Sequence, residues 1–209
     1  AKVKPLDFFQ PYLVHGFYPF FLEQRNFSEN LLKTMNMMLE VDILLIKQID
    51  LKYLAKIRKL LYILMTSAPA GPNISQLSVE IETSRATIMN YIKYLKDARL
   101  LNLLYSEGEE FPKKPKQIYV QNTNLMHVVS HEGIDKEAEC RTFFYNALHA
   151  KHKVNLSRYQ HEFSIDHQYH FRCDHKHQHN HSSKVFYVLN DAEIGNKNEI
   201  PLWLFGFLY

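Results

Sequence analysis

The chain has 209 residues, of which 46% are hydrophobic and 13% aromatic, so it can bury a substantial core and is not of the disordered class. Its formal charge of +3 permits contact with nucleic acid without requiring it. Two cysteines without CxxC spacing exclude a disulfide framework and a cysteine-rich zinc site, and they favour a reducing, cytoplasmic setting.

The six glycines do not form a phosphate-binding loop. None begins a GxxxxGK[ST] or GxGxxG motif, so no glycine-rich backbone can cradle the phosphates of a nucleotide. We therefore expect no cofactor in this chain. The longest apolar runs, DILLI and PLWLFGFLY, are shorter than the roughly 20 residues that cross a bilayer, and we expect no membrane association.

Residues 1–48 are expected to form a helical segment. Leucine and methionine recur at helical spacing within SENLLKTMNMMLEVDILLI, and Ser28 precedes the pattern as a candidate N-cap. The preceding stretch, HGFYPF, is typical of an ordered aromatic turn that packs against a neighbouring element.

Residues 49–123 carry the clearest pattern, which is three helices followed by two strands. The helices lie in DLKYLAKIRKLLYILMTS, NISQLSVEI and RATIMNYIKYLKD, with a tight turn at Thr83 and Ser84 before the third. The strands lie in LLNLLYS and KQIYVQN, on either side of EGEEFPKKP. This order predicts a winged helix-turn-helix. Its helices should bury Leu54, Ile57, Leu60, Leu61, Leu64, Leu77, Ile81, Ile88, Tyr91, Ile92 and Leu95.

A winged helix places its third helix in the DNA major groove and its wing against the backbone. Arg85 and Asn90 suit bidentate hydrogen bonds with bases, and Lys93 suits a phosphate. The predicted contact set comprises Arg85, Thr87, Met89, Asn90, Lys93, Lys96, Lys113, Lys114 and Lys116. Three glutamates of the predicted wing, Glu107, Glu109 and Glu110, would repel phosphates. A protein partner is therefore the alternative to double-stranded DNA.

Residues 124–209 predict a small α/β lobe. EAECRTFFYNALHA is helical, and three short strands follow in KVNLSRYQ, EFSIDHQ and QYHFRC as an antiparallel meander. SKVFYVLND predicts a last, buried strand, and the apolar tail EIPLWLFGFLY requires a covering element. Together the three segments give an α+β fold class.

Several segments carry a resemblance to a known family. These are FFQPYLVHGFYPF, LEVDILL, ISQLSVEIETSRATIMNYIKYLKDARLLNLL, RTFFYNAL and the ending NEIPLWLFGFLY. They resemble the C-terminal half of prokaryotic AAA-type P-loop ATPases that end in a winged helix and a restriction-endonuclease-like lobe. The resemblance implies an N-terminal ATPase domain, outside this chain, that would bind ATP and Mg²⁺ and pack against residues 1–48. Because the chain starts at Ala1 rather than Met, we expect it to be a fragment of a longer protein.

The resemblance also implies a degenerate nuclease site. In such lobes a helix glutamate and two strand carboxylates hold Mg²⁺, and a lysine helps position the attacking water. Here the helix position falls on Arg141, the strand acids fall on Glu162 and Arg172, and the lysine falls on Lys176. Two guanidinium groups beside the site would repel a cation. The resemblance therefore implies an inactive lobe, and we expect no catalysis by this chain.

Two other functions remain open from the residues. One is an active Mg²⁺-dependent nuclease with a rearranged site of Glu139, Glu162, Asp174 and Lys176. The other is a stand-alone winged-helix transcription regulator.

The stretch YHFRCDHKHQHNHSSKV raises the question of a metal site. His175, His177, His179 and His181 recur at period two, which on a strand would place four imidazoles on one face able to bind Zn²⁺, Ni²⁺ or Cu²⁺. However, the flanking Asn, Ser and Lys residues are typical of a solvated turn. We expect a histidine-rich turn that binds metal weakly or adventitiously.

Overall fold

Helices make up most of the first two thirds of the chain, and a mixed sheet makes up most of the last third. The computed structural model describes residues 4–23, 26–46, 49–130, 133–158, 162–173 and 184–208. The architecture is α+β, as predicted from the sequence.

The N-terminal segment contains a helix that the sequence pattern did not reveal. Helix α1 (Pro5–His15) starts with proline, which favours a first turn, but also contains Pro11 in its interior. The predicted aromatic turn follows, and its rings pack on one another, with Tyr18 stacked on Phe20 at a centroid distance of 5.4 Å.

Helix α2 (Phe27–Met38) begins two residues earlier than predicted, so Ser28 lies within the helix and is not its N-cap. Asn26 precedes the helix with a φ of 50°, a left-handed conformation that asparagine adopts more easily than most residues. The chain continues without a break into a π-helical segment (Leu39–Ile46).

The three helices of the middle segment form where they were predicted. They are α3 (Leu54–Ser67), α4 (Ile74–Glu80) and α5 (Arg85–Asp97), and every position predicted to face inward is buried. Side chains cap the last two, because Asn73 accepts from the Gln76 N–H and Ser84 accepts from the Thr87 N–H.

A hairpin of β1 (Leu101–Leu104) and β2 (Gln117–Val120) follows α5. The β1–β2 loop, residues 105–116, connects the two strands. Ala70, between α3 and α4, adds a one-residue antiparallel bridge to Ile118, with the two N–H···O distances at 2.9 and 3.3 Å. This bridge attaches the helices to the hairpin through the backbone.

The C-terminal part is a five-stranded sheet packed against one long helix. Helix α6 (Thr123–Val129) leads to α7 (Lys136–Leu148), and the strands follow in the spatial order β3-β4-β5-β6-β7. Their bounds are β3 Val154–Leu156, β4 Phe163–Ile165, β5 Tyr169–Cys173, β6 Phe186–Leu189 and β7 Glu199–Pro201.

The first three strands form the predicted antiparallel meander, whereas β6 and β7 are added in parallel. Strand β7 was not predicted, because three residues are too few to show a period. The apolar tail forms a 3₁₀-helix (Leu202–Leu208) that packs on α7, where Phe205 contacts Phe144 at 4.8 Å between ring centroids. No helix within the described residues is long and apolar enough to cross a membrane.

Two hydrophobic clusters group the elements differently from the predicted segments. The first contains α3, α4, α5 and the buried face of α6. The second contains the sheet, α7 and the tail, together with Phe9 and Leu13 of α1. Helix α1 therefore packs on the C-terminal lobe, with Phe9 edge-on to Phe143 at 4.9 Å between centroids, while α6 packs with the middle segment.

A buried polar junction joins α1 to α6. The Thr123 hydroxyl donates to the Leu13 carbonyl (2.6 Å), and the Asn124 amide donates to the same oxygen (2.8 Å). The side-chain oxygen of Asn124, Oδ1, accepts from the Phe17 backbone N–H at 2.9 Å. These bonds satisfy backbone groups at the end of α1 that the helix itself leaves unpaired.

We expect Asn124→Ala to lower the free energy of unfolding by about 2–4 kcal/mol, because it removes the hydrogen bonds of the Asn124 side chain to the Leu13 carbonyl and to the Phe17 N–H. Urea unfolding should show a lower midpoint with an unchanged m-value. Asn90→Ala, at an exposed position on α5, is the matched control and should change stability by less than about 0.5 kcal/mol. Equal effects of the two substitutions would contradict the structural role of the junction.

Candidate functional site

Helix α5 exposes a polar face whose side chains are available for a partner. Arg85, Asn90 and Lys96 are exposed, and none of their side chains has a hydrogen bond or ion pair with any residue that the structure describes. Because α5 begins at its Ser84 cap, Arg85 occupies its first turn, where a helix-turn-helix meets the groove.

The other predicted contact residues of α5 are engaged within the protein. The Thr87 hydroxyl lies 2.8 Å from that of Ser84 in the helix cap, and Met89 is half-buried. The Lys93 ammonium pairs with Asp97 at 2.9 Å and lies 5.8 Å from the centre of the Phe111 ring. Lys93 therefore tethers the β1–β2 loop to α5 and is not a free cation.

Two lysines of α3, which the sequence interpretation missed, add charge at the turn between α4 and α5. The Lys59 ammonium donates to the Glu80 carbonyl (2.9 Å) and that of Lys56 donates to the Glu82 carbonyl (2.7 Å). In the sequence, only the polar face of α3 indicated that these lysines are exposed. Their contacts join residues more than 20 positions apart, which no local pattern reveals.

Two of the three glutamates of the β1–β2 loop, Glu107 and Glu109, pair with positive side chains, while Glu110 is exposed. Glu109 pairs with both Lys113 (3.4 Å) and Lys116 (3.5 Å). Lys114 is exposed, and it has no partner among the described residues.

Glu107 faces the C-terminal lobe. The Ser164 hydroxyl donates to its carboxylate at 2.7 Å, while Arg158 and His167 each lie at 3.5 Å. The hydrogen bond from Ser164 is the main cause of a pKa for Glu107 below its ordinary value.

The structure brings together three positions that the resemblance assigned to a degenerate nuclease site. The Arg141 guanidinium on α7 bonds Glu162 (3.0 Å) and Glu137 (3.0 Å). Arg172, on β5, is close enough to act electrostatically on Glu162. We call these four residues the Arg141 cluster.

Burial raises the pKa of Glu162 to about 7. The charges of Arg141 and Arg172 and the Cys173 N–H, which donates to Glu162 at 3.1 Å, offset only part of that effect. Burial likewise raises the pKa of the Cys173 thiol, which hydrogen-bonds with Cys140. Such buried thiols are poor nucleophiles.

Glu139, a member of the alternative nuclease set, lies elsewhere. Its buried carboxylate contacts His127 (2.7 Å) and Lys136 (3.1 Å). Residues two apart on a helix point about 160° away from each other, so Glu139 and Arg141 occupy opposite sides of α7. Burial opposes ionisation of Glu139, but hydrogen bonds from His127 and Lys136 keep its pKa below the ordinary value.

The remaining predicted residues, Asp174, His175, Lys176, His177, His179 and His181, lie outside the described residues. Within the described ranges, no group of three or more His, Cys, Asp or Glu side chains is arranged to hold a metal ion.

Comparison with protein families places most of the helical part of the chain in one family. The profile of a domain of unknown function, DUF8612, matches residues 6–133. The chain belongs to the DUF8612 family. The match runs from α1 to just beyond α6, so it includes the exposed face of α5, whereas the Arg141 cluster lies outside it. Comparison with curated proteins and with solved structures finds no match.

Glu162 should make stability fall as the pH rises. Its pKa is about 7 in the folded protein, against an ordinary value of 4.5. Between these pH values the folded state keeps a proton that the unfolded chain has released, so folding is progressively disfavoured. A shift of this size corresponds to about 3 kcal/mol.

We expect Glu162→Gln to remove this part of the pH dependence, because glutamine does not titrate. The measurement is urea unfolding of both proteins from about pH 4.5 to pH 8. Glu110→Gln removes an exposed carboxylate and is the matched control. Parallel stability curves for wild type and Glu162→Gln would show that Glu162 does not titrate in this range.

Proposed function

We propose that this chain binds double-stranded DNA through a winged-helix unit formed by α3, α4, α5 and the β1–β2 hairpin. The observation that carries the proposal is the unpartnered polar face of α5, with Arg85, Asn90 and Lys96 exposed beside Lys114 of the β1–β2 loop. A helix of this kind can fit the major groove, while the loop serves as the wing against phosphates.

The topology supports the proposal. In a winged helix the hairpin must be held at a fixed angle to the recognition helix. Here the Ala70–Ile118 bridge attaches the hairpin to the α3–α4 connection, and the Lys93 ammonium of α5 lies 5.8 Å from the centre of the Phe111 ring. The pairing of Glu109 with two lysines also reduces the repulsion that an acidic loop would exert on DNA.

For the C-terminal lobe we propose a nuclease-like fold that does not cleave DNA. The Arg141 guanidinium bonds two carboxylates, Glu137 and Glu162, and so supplies the positive charge that a metal ion would otherwise supply. A divalent cation approaching these carboxylates would meet Arg141 at contact distance and Arg172 nearby. In the context of the family resemblance, ATP hydrolysis would belong to a separate ATPase domain.

Duplex binding should be measurable by fluorescence anisotropy on a labelled duplex. We expect affinity that falls steeply between about 50 and 200 mM salt. Arg85→Ala should weaken binding by about 10-fold, and Lys114→Ala should reduce the slope of log affinity against log salt by about 1. Lys33→Ala, an equal charge change on α2, should leave both unchanged. Lack of binding at low salt would contradict the DNA proposal.

The lobe should not nick supercoiled plasmid in the presence of Mg²⁺ or Mn²⁺. The reason is that the Arg141 cluster has no open carboxylate pair on which a cation could be held. Plasmid relaxation assays on wild type and Glu162→Gln test this. Metal-dependent nicking that is present in wild type and lost in the variant would establish an active site and refute the proposal.

A further inference from the structure

The β1–β2 loop continues into the C-terminal sheet through its backbone. The Leu156 N–H donates to the Tyr105 carbonyl at 2.8 Å, and Ser106 forms a parallel bridge with Leu156. Strand β3 is the edge of the five-stranded sheet. The start of the loop therefore occupies the free edge of that sheet, and its path is set by the lobe.

Glu107, the residue after Ser106, contacts three separate parts of the lobe and so holds this part of the loop in place. Ser164, which bonds its carboxylate at 2.7 Å, is on β4 and fully buried. Arg158 belongs to the β3–β4 connection, and His167 to the β4–β5 turn. A carboxylate held by one hydrogen bond and two positive or ionisable partners restrains the loop more tightly than any single contact would.

The other side of the loop is attached to α5. Phe111 lies under the Lys93 ammonium of α5, while Glu109 pairs with Lys113 and Lys116 inside the loop. Lys113 and Lys114 follow Phe111 and Pro112 and are both exposed. Their position relative to α5 thus depends on two attachments, one to α5 and one to the C-terminal lobe.

We propose that the C-terminal lobe positions the β1–β2 loop for contact with DNA, and that Glu107 is the positioning residue. This inference rests on the proposed duplex binding. It gives the lobe a role that requires no catalysis, because the sheet serves as the platform for the loop. It also reverses the expected effect of Glu107 on duplex affinity. Glu107 strengthens binding by holding lysines toward the duplex, and does not act mainly as a charge that repels phosphates.

The direction of the change in duplex affinity tests the proposal. It is measured for Glu107→Ala and Ser164→Ala. If Glu107 only repelled phosphates, its removal would tighten binding. Under the positioning proposal both substitutions weaken binding by about threefold or more, since the loop is then correctly placed for a smaller fraction of the time. Ser164→Ala changes no charge, so its effect reports the lost attachment alone.

A double-mutant cycle then asks whether the effect passes through the loop lysines. In a Lys113→Ala/Lys114→Ala background, the same two substitutions should change affinity by less than about 1.5-fold, because the positioned groups are gone. Losses of equal size in both backgrounds would overturn the proposal, as would unchanged or tighter binding. Hydrogen exchange of residues 105–116 should accelerate in Ser164→Ala, while the amides of α5 stay protected. This measurement does not use Glu107→Ala, so it remains a test of the proposal if that variant fails to fold.

The two proposals fail in different ways. If the wild-type chain binds no duplex at low salt, the proposed function falls and the positioning role falls with it. If the wild type binds duplex and Ser164→Ala binds equally well, only the positioning role is overturned. Lys33→Ala, which removes one positive charge on α2, controls for a loss of charge away from the loop.

Discussion

The structure depends on the junction at which the side chains of Thr123 and Asn124 bond the end of α1. Helix α1 packs into one hydrophobic cluster and α6 into the other, so this junction joins the two clusters, as does the β1–β2 hairpin, whose side chains lie in both. Buried polar groups on helix ends are costly unless they are paired, and here the pairing is nearly complete. The same bonds therefore terminate α1 and fix the relative placement of the helical part and the sheet. The contact between the β1–β2 loop and β3 forms a second attachment between them.

One half-buried guanidinium, that of Arg141, holds two carboxylates of the C-terminal lobe. Arg141 bonds two carboxylates, and its charge keeps Glu162 from becoming an isolated buried anion. The cost of removing the Glu162 carboxylate from water is still large enough to raise its pKa to about 7. The ion pair with Arg141 therefore stabilises the charged carboxylate less than water does. A site of this kind is a poor place for a cation. Under the proposed function the role of the lobe is structural, and its contribution to DNA contact would come through Glu107 and the loop.

Local patterns in the sequence predicted the local structure well, and long-range features were missed. Helices α3, α4 and α5 were found because their apolar positions repeat every three or four residues. Helix α1 was missed because a proline in the interior, Pro11, argues against a helix. The position of Glu107 depends on Ser164, which is 57 residues away, and no period or motif reports such a contact. The closeness of Arg141 and Glu162 came only from the family resemblance, since residues on a helix and a distant strand carry no shared pattern.

The limits of the family match show how the two halves depend on each other. Residues 6–133 contain α1, but Phe9 and Leu13 of α1 are buried against α7 and the apolar tail, which lie beyond the match. A segment ending at residue 133 would keep the first hydrophobic cluster and the face of α5, yet it would expose these two side chains and lose the platform under the β1–β2 loop. Uncovering an apolar surface of this kind favours association with another molecule. The matched segment is therefore not a complete packing unit in this chain, and the C-terminal lobe supplies both its missing cover and the support for its loop.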